Sequence, residues 1–228
     1  MKRNYKKDFI KILNSISNVK STREVFNDFL VMATASLYSW KKNKVVEQSY
    51  TEIESQYKKE TVKKFASLLA IVASALENEE RDFLGNIYIE ENFNNSKLYQ
   101  IFTPFDLALM IAHLNFDSLC VEFDRIYTIC DPCCGSGNLL IASYNVLKDK
   151  FLDIEKNILF YGKDIDNQCA MMTFMQLTLL SIPAIITCGN AISNECIWEK
   201  ETLWYYQYNI GPRLKEQDKK ENSELKLI

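Results

Sequence analysis

Apolar positions recur every three or four residues through the first eighty residues of the chain. Phe9, Leu13 and Ile16 form one stripe, and Val25, Phe26, Phe29, Leu30, Ala33 and Leu37 form a second. Val46, Tyr50, Ile53 and Tyr57 mark a third, and Val62, Phe65, Leu69, Val72 and Leu76 a fourth. This period belongs to amphipathic helices, and neither Gly nor Pro interrupts it. Ser21 and Glu24 have the spacing of a capping box at the start of the second helix. Gly85 is expected to break the pattern, and the polar, Asn-rich residues 90–97 to form a loop. Thr103 and Pro104 then predict a new helix, with Thr103 as N-cap and Pro104 in the first helical position. Its apolar face includes Leu107, Met110, Ile111 and Leu114.

From residue 125 the texture changes. Short β-prone runs at 126–130, 158–161 and 184–188 alternate with helical stretches at 138–150 and 167–180. This βαβαβ order predicts a parallel sheet with right-handed crossovers. Residues 203–210, with Trp204, Tyr205, Tyr206 and Tyr208, are a candidate fourth strand. The expected fold class is therefore α/β, a parallel βαβαβ core preceded by an α-helical N-terminal domain. The expected divisions are 1–80, 81–212 and a charged, disordered tail at 213–228.

Composition narrows the class only a little. The chain has 228 residues, 47% hydrophobic and 25% charged, which is ordinary for a globular protein. With 6 Gly and 4 Pro, collagen-like and low-complexity readings are excluded. No run of eighteen apolar residues suggests a membrane span, and the basic N-terminus lacks the features of a secretory signal. Seven Cys, without the spacing of a disulfide framework, fit a reducing compartment, so a cytoplasmic location is expected. Charge is more informative once divided. Residues 1–64 hold 14 Lys and Arg against 7 Asp and Glu, whereas the remainder holds 13 against 23. A basic first quarter on an acidic remainder is consistent with phosphate contacts through the N-terminal helices, and equally with solvated helix faces.

The chemistry-bearing segments lie at strand ends. Asp131-Pro132-Cys133-Cys134-Gly135-Ser136-Gly137-Asn138 spans the end of the first strand and the start of a helix. Ligands of open α/β sheets bind beyond the carboxyl ends of strands, and helix N-termini offer unpaired N–H groups to anions. Asp131 adds an acceptor for an ammonium or an ordered water, so the segment suits a zwitterionic amino-acid group better than a pyrophosphate. Neither G-x-G-x-x-G nor the Walker pattern is present. Asp164 ends the second strand in Tyr161-Gly162-Lys163-Asp164-Ile165-Asp166, where a carboxylate can accept from ribose hydroxyls. Asp166 reads as the next N-cap. Asn190, in Cys188-Gly189-Asn190-Ala191, reads either as a reader of an adenine edge or as part of a Gly-Asn turn. Cys130-x-x-Cys133 has metal-ligand spacing but no second pair, and loop packing is the simpler reading; no metal is expected. The single His, His113, is expected to be structural or exposed.

These segments, in this order, resemble the class I S-adenosylmethionine-dependent DNA methyltransferases. They are most similar to the adenine-N6 group that includes the modification subunits of type I restriction–modification systems. The family's G-Q-F/Y-F/Y-T-P, D-P-x-x-G-S-G, G-x-D/E-I-D and G-N/D segments match residues 99–104, 131–137, 162–166 and 189–190. Asp82-Phe83-Leu84-Gly85-Asn86-Ile87-Tyr88 resembles the family's D-x-L-G-x-x-Y lead-in. The resemblance implies a partial Rossmann-like methyltransferase sheet with S-adenosylmethionine as cofactor. It places Phe102, Thr103 and Pro104 against the methionine part, and Asp131, Pro132, Gly135, Ser136 and Gly137 as its floor. Asp164 would hold the ribose, Ile165 would pack on the adenine, and Asn190 would meet the adenine amino group.

Two departures stand out. Tyr99 occupies a position where the family has Gly. The family's N-P-P-Y/F motif, which holds a flipped base for methylation, has no counterpart, because no Pro-Pro pair occurs. Asn209, in Asn209-Ile210-Gly211-Pro212, is the only candidate for that catalytic position, and an ordinary turn is the alternative. The implied function is a DNA methyltransferase-like protein acting on adenine N6. It would contact DNA through the basic helices and need a partner subunit or second copy to complete the sheet. The alternative is a catalytically silent cofactor-binding or anti-restriction module using the same surface.

Overall fold

The structure is a computed structural model that describes residues 3–17, 20–41, 43–79, 81–93, 100–122 and 124–224. Three parallel strands form its centre: β1 (Tyr127–Asp131), β2 (Ile158–Asp164) and β3 (Ala184–Cys188). Asp131 lies beside Gly162, and Asp164 beside Cys188, so the chemistry-bearing segments emerge together at one edge of the sheet. A fourth strand, β4 (Trp198–Glu201), pairs antiparallel with β3 and gives the order β1-β2-β3-β4. The α/β class and the parallel βαβαβ core expected from the sequence are present.

Ten α-helices surround this sheet among the described residues: α1 (Tyr5–Ile16), α2 (Thr22–Tyr38), α3 (Lys44–Glu54), α4 (Lys59–Asn78), α5 (Phe83–Glu90), α6 (Phe105–Phe116), α7 (Asn138–Lys150), α8 (Asn167–Leu179), α9 (Leu203–Gln207) and α10 (Ile210–Glu224). The Ser21–Glu24 capping box forms, satisfying two backbone donors at the start of α2. Helices α1 to α5 pack around Phe9, Phe26, Phe29, Leu76 and Leu84, and this core continues into Cys169, Met172 and Met175 of α8. The N-terminal helices thus share one core with the sheet-covering helix. Ile158, Phe160, Ala184 and Ile186 face α7 and α8. Among the described residues no helix is long and apolar enough to cross a membrane.

Several expectations are corrected. Gly85 does not end a helix; it lies inside α5, capped by Asp82, whose side chain accepts from the Gly85 N–H at 2.8 Å. A Cβ there would collide with the Asp82 carboxylate and the Ser136 hydroxyl, so the glycine answers a close approach rather than a turn. Glu90 closes α5, and of the expected loop only residues 91–93 are described. Residues 94–99, Tyr99 included, lie outside the described residues. Pro104, not Thr103, occupies the N-cap of α6, with extended ψ of 142°, and the Thr103 carbonyl instead accepts from Asn138 Nδ2 at 2.5 Å.

The expected strand at 203–210 is also absent. Buried Thr202 ends β4 by exchanging hydrogen bonds with Ala184, its N–H donating at 2.8 Å and its Oγ1 accepting at 2.9 Å. The following aromatics are helical: Trp204 and Tyr208 stack at 5.9 Å one turn apart, and Trp204 Nε1 donates to the Thr178 carbonyl at 2.8 Å. Finally, residues 213–224 are not disordered but belong to α10. Fully buried Ile210 and its neighbour Leu214 cover Ile126 and Leu159, the opposite face of the sheet. Gln217 Oε1 accepts from the Ile126 N–H at 2.9 Å, and the Arg213 guanidinium donates to the Lys156 carbonyl. Two apolar side chains four residues apart supply the docking stripe that the polar composition obscures. Residues 225–228 lie outside the described residues.

Docking of α10 makes a measurable prediction. Ile210→Ala is expected to lower unfolding free energy by about 2–5 kcal/mol, the usual cost of truncating a buried Ile. Urea denaturation measures it, and an unchanged midpoint would mean that the C-terminal segment is not packed on the sheet.

Candidate cofactor site

The carboxyl ends of β1, β2 and β3 open onto a cavity of about 370 Å³. The segment after β1 is folded back against β2, with the Cys134 N–H donating to the Lys163 carbonyl at 2.9 Å. Gly135 at φ +55° and Gly137 at φ +95° both use left-handed backbone that side chains disfavour. Gly137 is the N-cap of α7. A Cβ on Gly135 would lie in ordinary contact with the Phe102 ring at 3.5 Å, so it is the left-handed backbone rather than crowding that favours glycine there.

Asp164 joins the two strand ends. Its Oδ2 accepts from the Gly135 N–H at 2.8 Å and its Oδ1 from the Asp166 N–H at 2.8 Å. Burial pushes its carboxyl above the usual range, while these N–H groups oppose the shift. Each oxygen keeps further acceptor capacity for a hydroxyl. Asp131 lies across the loop. Its Oδ1 accepts from the Cys133 N–H at 3.1 Å, whereas its buried Oδ2 has no partner. Burial raises this carboxyl too.

Of the residues proposed from the sequence, Phe102, Pro132, Gly135, Asp164, Ile165 and Asn190 line the cavity. Asn190 also makes the turn that was its alternative reading, its Oδ1 accepting from the Ile192 N–H at 2.9 Å and the Ser193 N–H at 3.3 Å. Asp131, Ser136, Gly137, Thr103 and Pro104 are not among the lining residues; Ser136 and Gly137 are buried, and Pro104 is exposed. Ser136 is fully buried, and its hydroxyl donates to Asp82, away from the cavity. Asp166 caps α8, accepting from the Gln168 N–H at 2.8 Å.

Asn209 is not brought to this site. Because β4 runs antiparallel to β3, the chain returns to the amino end of the sheet before residue 203. Asn209 is exposed there, at φ +53° between α9 and α10, so it is the turn of its alternative reading.

Some lining residues were given no role from the sequence. Gln100 lines the cavity and is fixed by Nε2 donating to Asp166 Oδ2 at 2.8 Å. Cys169, within the first turn of α8, and Ile192, 99% exposed at the rim, also contribute. Nothing in their local sequence marks either. Among the described residues, no cluster of three or more His, Cys, Asp and Glu is placed to hold a metal ion. His113 is exposed, its Nδ1 3.0 Å from Asp117.

Comparison with known proteins gives this arrangement a family. The N-6 DNA methylase family pattern matches residues 79–203, more than half of the chain, and the chain belongs to that family. It is 27% identical over 105 residues to the type I restriction enzyme MjaVII methylase subunit of Methanocaldococcus jannaschii, covering 45% of this chain and 17% of that one. With the MjaVIII methylase subunit of the same organism it shares 29% over 121 residues, 50% of this chain and 19% of the relative. The chain therefore spans less than a fifth of the length of these relatives. A Listeria monocytogenes structure described as a class I S-adenosylmethionine-dependent methyltransferase superposes with a TM-score of 0.46 at 14% identity, over 79% of this chain and 51% of that one.

Membership in the family implies S-adenosylmethionine as cofactor, and the residues present fit it. Asp164 offers acceptors at the ribose position, the Gly135 cradle admits close approach, and the orphaned Asp131 Oδ2 can accept from an ammonium.

The cysteines report on this geometry. Cys133 is exposed at the cavity rim, whereas Cys134 and Cys169 are buried and burial pushes both thiols up. Iodoacetamide is expected to alkylate Cys133 in the folded protein and to reach Cys134 and Cys169 only on denaturation. Peptide mass mapping checks this, and S-adenosylhomocysteine is expected to slow labelling of Cys133 at least several-fold.

Proposed function

We propose that this chain supplies the cofactor-holding part of an adenine-N6 DNA methyltransferase of the restriction–modification modification-subunit type. The observation that carries this reading is the Asp164 carboxylate, tied to the Gly135 N–H and facing Phe102 across one cavity at the carboxyl edge of a parallel sheet. In this reading Asp164 accepts from the ribose hydroxyls and Ile165, 54% exposed at the cavity, packs on the adenine. The Asn190 oxygen, expected to meet the adenine amino group, is already engaged by its own turn, so in this reading the amide nitrogen donates to the adenine edge instead. Asp131 and the Asp131–Gly137 loop receive the methionine moiety, with Phe102 as the opposing wall. Thr103 and Pro104 hold that wall in place. Ser136 and Gly137 shape the loop from behind.

The cofactor, when bound, supplies an electrophilic methyl group for transfer to an adenine amine. In this reading the residues around the cavity bind and orient the cofactor, and they do not include the family's Asn-Pro-Pro-aromatic motif. With Asn209 at the opposite end of the sheet, we assign the holding of the target base to groups that this copy of the chain does not bring to the cavity, supplied by a partner subunit or a second copy. The basic N-terminal helices are the proposed DNA-facing surface, since clustered Lys and Arg attract phosphates whatever the total charge. This reading is consistent with the cytoplasmic location expected from the cysteines.

Calorimetry with S-adenosylmethionine tests the cofactor reading. Asp164→Ala is expected to weaken binding about 10–100-fold, the loss of one or two hydrogen bonds to a charged group. Undiminished binding would overturn the assignment of Asp164. Co-expression with neighbouring open reading frames, followed by methyl-sensitive digestion of plasmid DNA, tests the reaction. Adenine methylation is expected; cofactor binding without methylation in any pairing would favour a silent regulatory module instead.

A further inference from the structure

Helix α5 touches the cofactor site at two points, and neither lies in the cavity. At its first turn, Asp82 is 5% exposed and surrounded by donors. Its Oδ1 accepts from the Gly85 N–H at 2.8 Å and from Gln176 Nε2 at 2.8 Å, while Oδ2 accepts from the Ser136 hydroxyl. Gln176, fully buried on α8, also donates to the Ser136 carbonyl at 2.9 Å and accepts from the Leu84 N–H at 3.1 Å. Every polar contact of this cluster ends on the loop after β1, on α5 or on α8. Further along the helix, Tyr88 packs against Phe102 with ring centroids 5.7 Å apart. Its hydroxyl donates to Gln168 Oε1 at 3.2 Å and lies 3.5 Å from Gln100 Oε1.

We propose that α5 is the positioning element of the cofactor site, with Asp82 and Gln176 fixing the loop that receives the amino-acid end of the ligand and Tyr88 fixing the facing Phe102 wall. This rests on the cofactor reading above and extends it to residues that do not touch the ligand. Ser136 is the link. Its neighbours Gly135 and Gly137 both hold left-handed backbone, a conformation that needs support from its surroundings. The Ser136 side chain and carbonyl are each held from behind by the Asp82–Gln176 pair. A buried polar network of this kind is rigid only when all its members are satisfied. Removal of one member therefore loosens the loop while the apolar core of α4 and α8 stays packed.

Two ligands separate positioning from simple stability. S-adenosylhomocysteine carries the amino-acid end, and 5′-methylthioadenosine lacks it. Asp82→Ala and Ser136→Ala are expected to weaken S-adenosylhomocysteine about 10-fold by calorimetry while changing 5′-methylthioadenosine less than about 3-fold. Asp82→Asn can still accept from Gly85 and Gln176, with its amide donating to Ser136, and is expected to restore affinity to within about 3-fold of the parent. Equal weakening of both ligands, or no rescue by Asp82→Asn, overturns the proposal. Hydrogen exchange without ligand gives an independent measure. Amides of residues 133–137 are expected to exchange at least 10-fold faster in Asp82→Ala, with α4 and α8 unchanged. Unchanged loop exchange overturns the positioning role whether or not the ligands bind. Accelerated loop exchange in a protein whose parent form binds neither ligand overturns the cofactor reading alone.

Discussion

Two strand ends meet where the Gly135 N–H donates to the Asp164 carboxylate. That contact sets the distance between the loop after β1 and the turn after β2, and so the width of the cavity between them. It requires Asp131 and Asp164 to emerge on the same side of the sheet, which the parallel register of β1, β2 and β3 provides. It also puts position 135 in left-handed backbone, which favours glycine. The half-buried carboxylate is held by backbone N–H groups, which leaves each oxygen further acceptor capacity.

The helical layer is part of this arrangement rather than an appendage to it. Helices α1 to α5 share their apolar core with α8, and α5 reaches the back of the glycine loop. At the other end of the molecule, Glu201 accepts hydrogen bonds from Tyr38, Lys41 and Tyr206, tying the end of α2 to the end of β4. The N-terminal helices thus grip the sheet at both ends.

The reversal of direction at β4 has the largest consequence for chemistry. Its antiparallel pairing carries the chain away from the cavity, so the aromatic run and Asn209 meet the amino end of the sheet. There α9 and α10 cover Leu159 and Ile126. The cavity-lining residues and the residues that follow β4 therefore lie toward opposite ends of the strands.

Much of the cavity was legible along the chain because its parts are local. A glycine loop at a strand end, a carboxylate closing the next strand and a Gly-Asn turn closing the third all carry their geometry in a few consecutive residues. Phe102, Pro132, Gly135, Asp164, Ile165 and Asn190 accordingly line the site. What the sequence could not reveal depends on partners far away in the chain. Gly85 reads as a helix breaker until Ser136, far along the chain, and the Asp82 carboxylate to which it donates together occupy the space where its side chain would be. Trp204 and Tyr208 read as strand until the Thr178 carbonyl and helical stacking claim them. Ile210 and Leu214 look like sparse apolar residues in a charged tail until the uncovered face of β2 gives them a place to bury. Local backbone chemistry is written in neighbouring residues; strand direction and burial are decided by which surfaces meet, and only the folded chain brings those together.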